Sequence, residues 1–344
     1  MSSLAIRPVS AAADEQAWDQ FVWSQKLGTP FHLNAWRRVC SETFHYKCHS
    51  LMVWRGGQVE AVLPLFLVSN PITGRILLSS PFAVYGGILS SNEEAATALR
   101  ARAAELGRQL HVQYVEFRNL DQTQCAGWPR VTRYVTFLKQ LETTETEILK
   151  ALPRETRRMT RRAIEQNYDI RFTRDLSQFE PLYTANLRKL GTPAFPLNHF
   201  RTILDAYPSA DVMELRLDGK VVAAVLSLYH GQTVLPYYGA SDPDFNRANP
   251  NNMMYFALMR EALARGLSTF DFGRSKTATG AYMFKSHWGM EEHQLPYEIL
   301  LVRRKQLPNF SPANPKFDLA IRAWRRLPLP VTRIIGPWLI RLFP

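Results

Sequence analysis

The sequence predicts a mixed α/β protein made of two copies of one unit, followed by a basic amphipathic tail. The same three landmarks recur in the same order in each half: a hairpin glycine (Gly57, Gly219), a glycine that ends a strand (Gly86, Gly239) and the last residue of a closing strand (Phe117, Phe272). Their offsets of 162, 153 and 155 residues are nearly constant, which indicates an internal duplication. A chance likeness between two α/β halves is the alternative.

Hydrophobic spacing and glycine breaks predict the elements of the first copy. Apolar side chains at helical spacing indicate helices, and apolar runs bounded by glycines or other turn residues indicate strands. The predicted order is a strand (4–9), two helices (12–25 and one beginning near Asn34), three strands (50–54, 59–68 and 75–79), a helix (93–110) and two strands (112–117 and 131–141).

The second copy repeats that order after a basic connecting segment. Its predicted elements are three strands (213–217, 221–229 and 234–238), a helix (251–265) and a closing strand (269–272). A hairpin, a further strand and a helix that crosses to a closing strand are the order of an acyl-CoA N-acyltransferase (GNAT) domain. We therefore expect two tandem GNAT-like domains, 1–143 and 144–306, and a tail, 307–344. Ligands should bind where the strands ending at Tyr238 and Phe272 separate.

The composition indicates a folded protein of a reducing compartment. With 344 residues, 46% of them hydrophobic, the chain is long and apolar enough for two packed domains. The three cysteines, Cys40, Cys48 and Cys125, have neither disulfide nor metal-site spacing. The first residues lack the apolar core of a secretory signal, and no apolar run is long enough to span a bilayer. We expect a cytoplasmic protein without a metal site.

The net charge of +12 is concentrated in two segments. Residues 303–344 carry nine Lys or Arg and one acidic residue, and residues 150–162 carry six Lys or Arg and one acidic residue. The rest of the chain is close to neutral, which argues against a broad DNA-binding surface and for two local anionic ligands. Arg154 and Arg158 lie four residues apart on a predicted helix and repel each other unless an anion offsets them. A solvated or internally paired helix is the alternative.

Residues 268–289, STFDFGRSKTATGAYMFKSHWG, are the segment best suited to a site. They place several ionisable side chains after a closing strand, and burying such groups is costly unless they are paired or meet a ligand. Asp271 is a candidate to accept a proton or position an amine, and Lys285 and Tyr238 are candidates to stabilise an oxyanion. The structural alternatives are a salt bridge between Asp271 and Arg274, surface charge for Lys285, and a core position for Tyr238.

A second group of residues is predicted to bind substrate. Cations among glycines and aromatics suit a phosphate, a carboxylate or an oxyanion, and aromatic side chains suit the wall of an acceptor groove. The candidates are Arg274, Lys276, Tyr282, Trp288, Asn252, Tyr85, Trp36, Arg154 and Arg158. Surface charge, a helix-capping asparagine and core aromatics are the corresponding alternatives.

Four stretches resemble a known family. They are TPFHLNAW (29–36), LPLFLVSNPITGRILLSSPFAVYGG (63–87), LPRETRRMTRRA (152–163) and FDFGRSKTATGAYMFKSHWG (270–289). With them the chain resembles the Fem family of peptidoglycan-bridge aminoacyltransferases. The closer likeness is to the FemAB-like branch associated with exosortase and PEP-CTERM exopolysaccharide systems. The likeness runs from about Thr29 to Leu301 and implies tandem GNAT-like domains that transfer an acyl or aminoacyl group to an amine.

The sequence departs from the family where a donor would bind. In the peptidoglycan enzymes the donor is aminoacyl-tRNA and the acceptor is a lipid- or nucleotide-linked muropeptide. Those enzymes often carry a long coiled-coil arm, which has no counterpart after Arg162. A CoA-binding GNAT domain has a glycine-bearing loop that holds the pyrophosphate, whereas this chain has FNRANPNNMM (245–254). The donor is therefore undecided between aminoacyl-tRNA and acyl-CoA, and no other cofactor is expected.

The tail combines apolar and basic residues at helical spacing. Ile321 and Trp324 share one face of a predicted helix, and Ile334, Ile335 and Trp338 share a face of another, with arginines nearby. Such a segment suits the anionic cytoplasmic leaflet of a membrane, and residues 314–344 are the predicted contact. A tail packed on its own domain is the alternative.

The predicted function is N-acyl or aminoacyl transfer to an amine of a cell-envelope precursor, at the inner face of the cytoplasmic membrane. The precursor would be a peptidoglycan peptide or an amino sugar of an exopolysaccharide. Two alternatives stay open: a soluble acyl-CoA-dependent N-acyltransferase, and a non-catalytic GNAT-like module that docks a partner in exopolysaccharide assembly.

Overall fold

A computed structural model describes residues 3–120, 127–308 and 315–344; Cys125 and the start of the predicted tail lie outside them. The helices are α1 (Ala12–Ser24), α2 (Asn34–Phe44), α3 (Glu93–Gln109), α4 (Glu145–Ala151), α5 (Arg154–Ile164), α6 (Phe179–Leu190), α7 (Leu197–Ala206), α8 (Pro250–Ala264), α9 (Gly280–Ser286), α10 (Pro315–Arg326) and α11 (Leu329–Ile340). Two 3-10 helices span Pro30–His32 and Pro243–Ala248.

The strands are β1 (Ala5–Pro8), β2 (Lys47–Cys48), β3 (Leu51–Arg55), β4 (Gln58–Leu63), β5 (Phe66–Asn70), β6 (Gly74–Leu78), β7 (Leu89–Ser90), β8 (Tyr114–Arg118), β9 (Arg130–Val131), β10 (Tyr134–Gln140), β11 (Asp169–Thr173), β12 (Asp211–Leu217), β13 (Lys220–His230), β14 (Thr233–Ser241), β15 (Thr269–Asp271), β16 (Ser275–Lys276), β17 (Glu291–Gln294) and β18 (Tyr297–Leu301).

The chain divides into two compact units. The first unit comprises Met1–Tyr134, Gln294–Phe310 and Arg341–Pro344, and the second comprises Val135–His293 and Ser311–Ile340. This division differs from the predicted domains 1–143, 144–306 and 307–344. The physical reason is strand pairing: β10 pairs with β15 inside the sheet of the second unit, and β18 pairs with β8 inside a sheet of the first.

The first unit contains two sheets. Four strands follow the order β1-β3-β4-β7, and six follow the order β2-β5-β6-β8-β18-β9. The predicted strand 59–68 is two strands, β4 and β5, because Pro64 between them has no N–H for a sheet ladder. Helix α3 packs its buried Leu99 and Ala103 in the apolar core, where Phe117 of β8 also lies.

The second unit contains a single eight-stranded sheet. Its order is β11-β12-β13-β14-β15-β10-β16, with β17 paired to β10. Strand β13 runs unbroken over the length where the first copy has β4 and β5. Helix α8 is apolar on nearly every face, and Phe256 and Leu258 are buried in the core of this sheet.

The predicted duplication is present in the topology of the two units. In each, an antiparallel hairpin (β3–β4 or β12–β13) precedes a strand, a helix and a parallel partner strand. The parallel pairs are β6–β8 and β14–β15, with α3 and α8 as the connecting helices. The mixed α/β fold with two GNAT-like units is therefore confirmed. Within the described residues, no helix is both long enough and apolar enough to cross a bilayer.

Candidate acyl-transfer site

Strands β14 and β15 separate after a short stretch of parallel pairing. Their described pairs are Thr233 with Thr269 and Val234 with Phe270. Beyond that point β14 continues along β13 with a register shift, in which Tyr237 is the extra residue of a β-bulge. The opening lies toward the carboxyl ends of both strands, where α/β sheets bind ligands; ligand binding there stays a prediction.

Lys285 of α9 holds the turn that follows β15. Its Nζ donates to the carbonyl oxygens of Phe272 at 2.6 Å, Gly273 at 3.2 Å and Arg274 at 3.5 Å. Burial lowers the pKa of Lys285 to about 8, against the attraction of Asp271, which raises it, while Arg274 lowers it further. The lysine is thus a partly buried cation directed at the end of the closing strand.

Asp271, the last residue of β15, is buried and fixed in place. Its Oδ1 accepts hydrogen bonds from Thr136 Oγ1 at 2.5 Å and from the backbone N–H of Gly273 at 2.8 Å. Gly273 has a φ of +66°, a conformation that glycine adopts without strain. Asp271 and Lys285 therefore brace the same turn, the carboxylate through a backbone N–H and the ammonium through backbone carbonyl oxygens.

Tyr255 is a site residue that the sequence analysis missed. Its ring, on α8, packs against Phe272, Phe284 and Trp288. A Cβ atom placed on Gly239 of β14 would lie 3.6 Å from the Tyr255 Oη. The phenol therefore lies between the bulged part of β14 and the aromatic cluster beside β15. Burial raises its pKa to about 12, so it is a hydrogen-bond donor at neutral pH. Tyr255 stands in an otherwise apolar run of α8 (253–259), so its immediate neighbours in sequence gave no polar pattern to detect.

Tyr238 of β14 is engaged on the other side of the sheet. Its hydroxyl lies 2.8 Å from the Nε2 atom of His199, a fully buried residue of α7. Both rings pack with Phe195 and Phe200, and the Tyr238 ring also contacts Tyr183. Burial lowers the pKa of His199 to about 3, so the ring is neutral. This environment favours the core alternative for Tyr238 over a direct role in catalysis.

Four other predicted residues of the second unit lie in the segment 274–288 that follows β15, whereas Asn252 lies on α8. Arg274 and Lys276 are partly buried, and Tyr282 donates to Glu292 Oε2 at 2.8 Å. Trp288 is buried in the aromatic cluster, which supports a structural role. Asn252 is the third residue of α8 and does not cap it; Asn249 holds that position.

Helix α5 contacts the end of α9 through its uncharged face. Thr156 Oγ1 donates to the His287 carbonyl oxygen at 2.5 Å, and a Cβ on Gly289 would lie 3.1 Å from the ring of Pro153. Arg154 is exposed, whereas Arg158 is paired with Glu155 through its Nε at 2.9 Å. The internally paired alternative therefore applies to Arg158 and not to Arg154, for which no ion pair occurs among the described residues.

The predicted residues of the first unit are core residues of that unit. Trp36 is buried and donates to the Pro81 carbonyl oxygen at 3.1 Å. Tyr85 is also buried, and both rings contact Phe31 edge-on.

The comparisons with known proteins agree with this geometry. Residues 151–286 match the family described as the acetyltransferase (GNAT) domain. The chain is similar to the crystal structure of FemX, with a TM-score of 0.70 and 17% identity over 92% of this chain and 100% of that chain. It is also similar to the C-terminal domain of a putative lysylphosphatidylglycerol synthetase from Agrobacterium fabrum (TM-score 0.57, 14% identity, 84% of this chain and 92% of that chain). A third similar structure is a tandem GNAT protein from the clavulanic acid biosynthesis pathway (TM-score 0.56, 11% identity, 89% of this chain and 100% of that chain). No curated protein matches the sequence.

The fold is that of proteins with tandem GNAT-like units. The match of residues 151–286 to the acetyltransferase (GNAT) domain model, within the second unit, confirms the predicted class of enzyme, an acyltransferase. Within that class, the predicted likeness to the Fem enzymes is confirmed by FemX at the level of the fold. The exosortase-associated branch stays a prediction.

Proposed function

We propose that this protein transfers an aminoacyl group from tRNA to an amine of a cell-envelope precursor at the cytoplasmic face of the membrane. The precursor is a peptidoglycan peptide or an amino sugar of an exopolysaccharide. The observation that supports the proposal best is the opening between β14 and β15, with the Lys285 cation and the Tyr255 phenol beside it.

The proposed transfer needs stabilisation of the negative charge on the acyl oxygen, and it needs no covalent acyl-enzyme intermediate. A neutral amine attacks the acyl carbon, the ester C–O bond breaks, and the proton that the amine loses ends on the departing hydroxyl group. Negative charge develops on the acyl oxygen in between, and donors aimed at that position lower the barrier. Tyr255 is protonated and can donate to that oxygen, while Lys285 supplies positive charge. Asp271 keeps the turn rigid, which is a positioning role.

The start of α8 is poorly suited to a pyrophosphate. The helix begins at Pro250, which has no backbone N–H, and Asn249 before it has a φ of +57°. The preceding 3-10 helix brings Asp242 and Asp244 to the same loop, and carboxylates repel phosphates. A GNAT domain that used acyl-CoA would need free N–H groups here, so this loop argues against acyl-CoA as the donor.

The outer face of α5 suits a larger polyanion. Arg154, Arg161 and Arg162 are exposed, and no ion pair of theirs occurs among the described residues. The helix contacts α9, which holds Lys285, through the bond between Thr156 and His287. Closely spaced arginines on an exposed helix face bind phosphate backbones well. This face supports aminoacyl-tRNA as the donor.

A transfer assay tests the proposal. The full chain is incubated with a pool of radiolabelled aminoacyl-tRNA or with labelled acetyl-CoA, each with nucleotide-linked muropeptide, lipid-linked muropeptide or a nucleotide amino sugar. We expect label to move from aminoacyl-tRNA to one class of acceptor. Transfer from acetyl-CoA alone would contradict the proposed donor. If no donor supports transfer and no compound raises the melting temperature, the protein is a docking module.

A further inference from the structure

The two tail helices pack on the second unit through one face. Thr332, Gly336 and Ile340 of α11 are buried at a spacing of four residues. A Cβ on Gly336 would lie 3.3 Å from backbone atoms of Ala194, so the glycine permits close contact. Trp324 of α10 is buried and lies 3.8 Å from the same Cβ position. The tail is therefore part of the folded unit, as the packing alternative predicted.

Polar contacts tie the same helices to α6. Arg333 Nη2 lies 2.9 Å from Glu180 Oε2, and Arg188 Nη1 donates to the Leu327 carbonyl oxygen at 3.0 Å. Arg325 Nη2 donates to the Leu190 carbonyl oxygen at 3.2 Å. These contacts fix the orientation of α10 and α11 on the unit, and therefore fix which face points to solvent.

The opposite face of each helix exposes large apolar side chains. Leu319 is 76% exposed on α10, and Ile334 and Trp338 are 70% and 71% exposed on α11. Val331 precedes Ile334 by three residues and is also exposed, so these α11 side chains share one helix face. Isolated exposed apolar residues are ordinary, but a stripe that includes a tryptophan marks an interaction surface.

Basic residues accompany this stripe. Arg322 and Arg326 are exposed and lie three and seven residues after Leu319, on the same face of α10. Residues 315–340 contain four arginines besides Lys316, and one acidic residue. We name Leu319, Val331, Ile334 and Trp338, with Arg322 and Arg326, the tail face.

We propose that the tail face docks on the surface of an anionic lipid bilayer. Exposed Trp, Ile and Leu enter the headgroup region, where amphipathic helices lie, and arginines pair with lipid phosphates. The contacts to α6 hold both helices against their own unit, so the tail face is presented to solvent. A second copy of the chain fits less well, because two such faces would bring arginines of the same charge together. The proposal does not rest on the transfer chemistry.

Vesicle sedimentation with the full chain tests it. We expect binding to vesicles of phosphatidylcholine with phosphatidylglycerol, and weaker binding to phosphatidylcholine alone. The double substitution Ile334→Ser and Trp338→Ser should abolish binding to both. Arg322→Gln with Arg326→Gln should weaken binding to the anionic vesicles by about fivefold for each arginine and leave the neutral vesicles unaffected. The matched control is Trp23→Ser, because Trp23 is a 55% exposed tryptophan of the first unit.

Two results would overturn the inference. One is binding by the double serine variant that equals binding by the unsubstituted protein, with its melting temperature unchanged. The other is a dimer in sedimentation equilibrium that the serine substitutions convert to a monomer, without vesicle binding, since the tail face would then join two copies. Because these assays contain neither donor nor acceptor, either result leaves the proposed transferase activity standing.

Discussion

The Tyr255 hydroxyl can be removed with little change to the packing around it. The ring contacts Phe272, Phe284 and Trp288, and phenylalanine keeps all three contacts. If the phenol donates to the developing oxyanion, Tyr255→Phe should lower kcat by about 10²- to 10³-fold. The melting temperature should stay within the error of the unsubstituted protein. Steady-state transfer rates and thermal unfolding are the measurements.

A second tyrosine provides the control for that prediction. Tyr229 donates to Asp211 Oδ1 at 2.8 Å at the opposite end of β13 from the opening. Tyr229→Phe should leave kcat within a fewfold of the unsubstituted value. Equal reduction of activity in both variants would show that Tyr255 acts through stability and not through the reacting oxygen.

His199 makes the stability of the second unit sensitive to acid. Its folded pKa of about 3 lies below the ordinary value of 6.5, because the charged ring is costly to bury. The unfolded chain therefore binds the proton first as the pH falls below 6.5, and stability decreases progressively down to the folded pKa. Between about pH 7.5 and about pH 5 the decrease should be roughly 2 kcal/mol.

Urea unfolding at the two pH values measures this effect. His199→Gln keeps a donor near Tyr238 but does not titrate, so its free energy of unfolding should change less over the same range. The exposed His45, in a left-handed backbone conformation that asparagine accepts, gives the control His45→Asn. A pH dependence in His199→Gln equal to that of the unsubstituted protein would contradict the assignment.

The candidate site residues differ in how readily the sequence alone could reveal them. Asp271 could be selected because it ends a strand just before a glycine, and Lys285 because it is a cation between two glycines, Gly280 and Gly289. Trp288 and Tyr85 could not be told from ligand-contacting aromatics, since burial depends on neighbours distant in sequence. Tyr255 had no signal at all, because it occupies a helix that is apolar on nearly every side.

At the scale of elements, most strands and helices could be predicted because their apolar periodicity is strong. The hairpin turns and the helix crossing to each closing strand were located from glycines and spacing alone. Pro64 is evident in the sequence, but the sequence did not show that the strands on either side of it belong to different sheets. The first copy therefore has two sheets, whereas the uninterrupted β13 keeps the second copy in a single sheet.

Helix α5 has one buried, uncharged face and one exposed, basic face. Thr156, Thr160 and Ala163 are buried, and Arg154, Arg161 and Arg162 are exposed. Replacing the three arginines by glutamine should weaken binding of tRNA. It should also lower the slope of log affinity against log salt by about one unit for each phosphate that is no longer neutralised. Filter binding at several salt concentrations measures both quantities.

A matched variant separates a local effect from a decrease in total charge. Arg38, Arg75 and Arg108 are exposed arginines of the first unit, and their replacement by glutamine removes the same net charge. We expect this triple variant to bind tRNA with nearly the original salt slope. If both triple variants show the same decrease in slope, net charge and not α5 accounts for the affinity.

At the scale of the whole molecule, the two copies of the unit have diverged at their openings. In the first unit the backbone of residues 79–87 covers the end of β8. Ser79 N donates to the Glu116 carbonyl oxygen at 3.0 Å, and Gly86 N donates to the Arg118 carbonyl oxygen at 2.8 Å. The Arg118 guanidinium donates to the Ala83 carbonyl oxygen at 3.1 Å. The counterpart of the candidate opening is thus occupied by the chain itself, which supports placing the proposed chemistry in the second copy alone.

The exchange of strands between distant parts of the sequence was beyond prediction. Local periodicity identifies a strand but not its partner, and β10 was therefore assigned to the first domain. In the first unit β18 lies between β8 and β9, although well over a hundred residues separate it from them. Its Ile299 and Glu298 are buried, and Glu298 Oε2 accepts a hydrogen bond from Asn119 Nδ2 at 2.7 Å.

This exchange predicts how fragments behave. A fragment of residues 1–143 lacks β18, so the edge of β8 and the buried Asn119 would have no partners there. Unsatisfied buried backbone and side-chain groups cost about 1–3 kcal/mol each, and several together exceed the stability of a typical domain. We expect the fragment to show no cooperative urea transition by circular dichroism. Joining residues 294–306 to it through a flexible linker should restore the transition, whereas the same residues in scrambled order should not. A cooperative transition in the unmodified fragment would mean that the first unit is stable without β18.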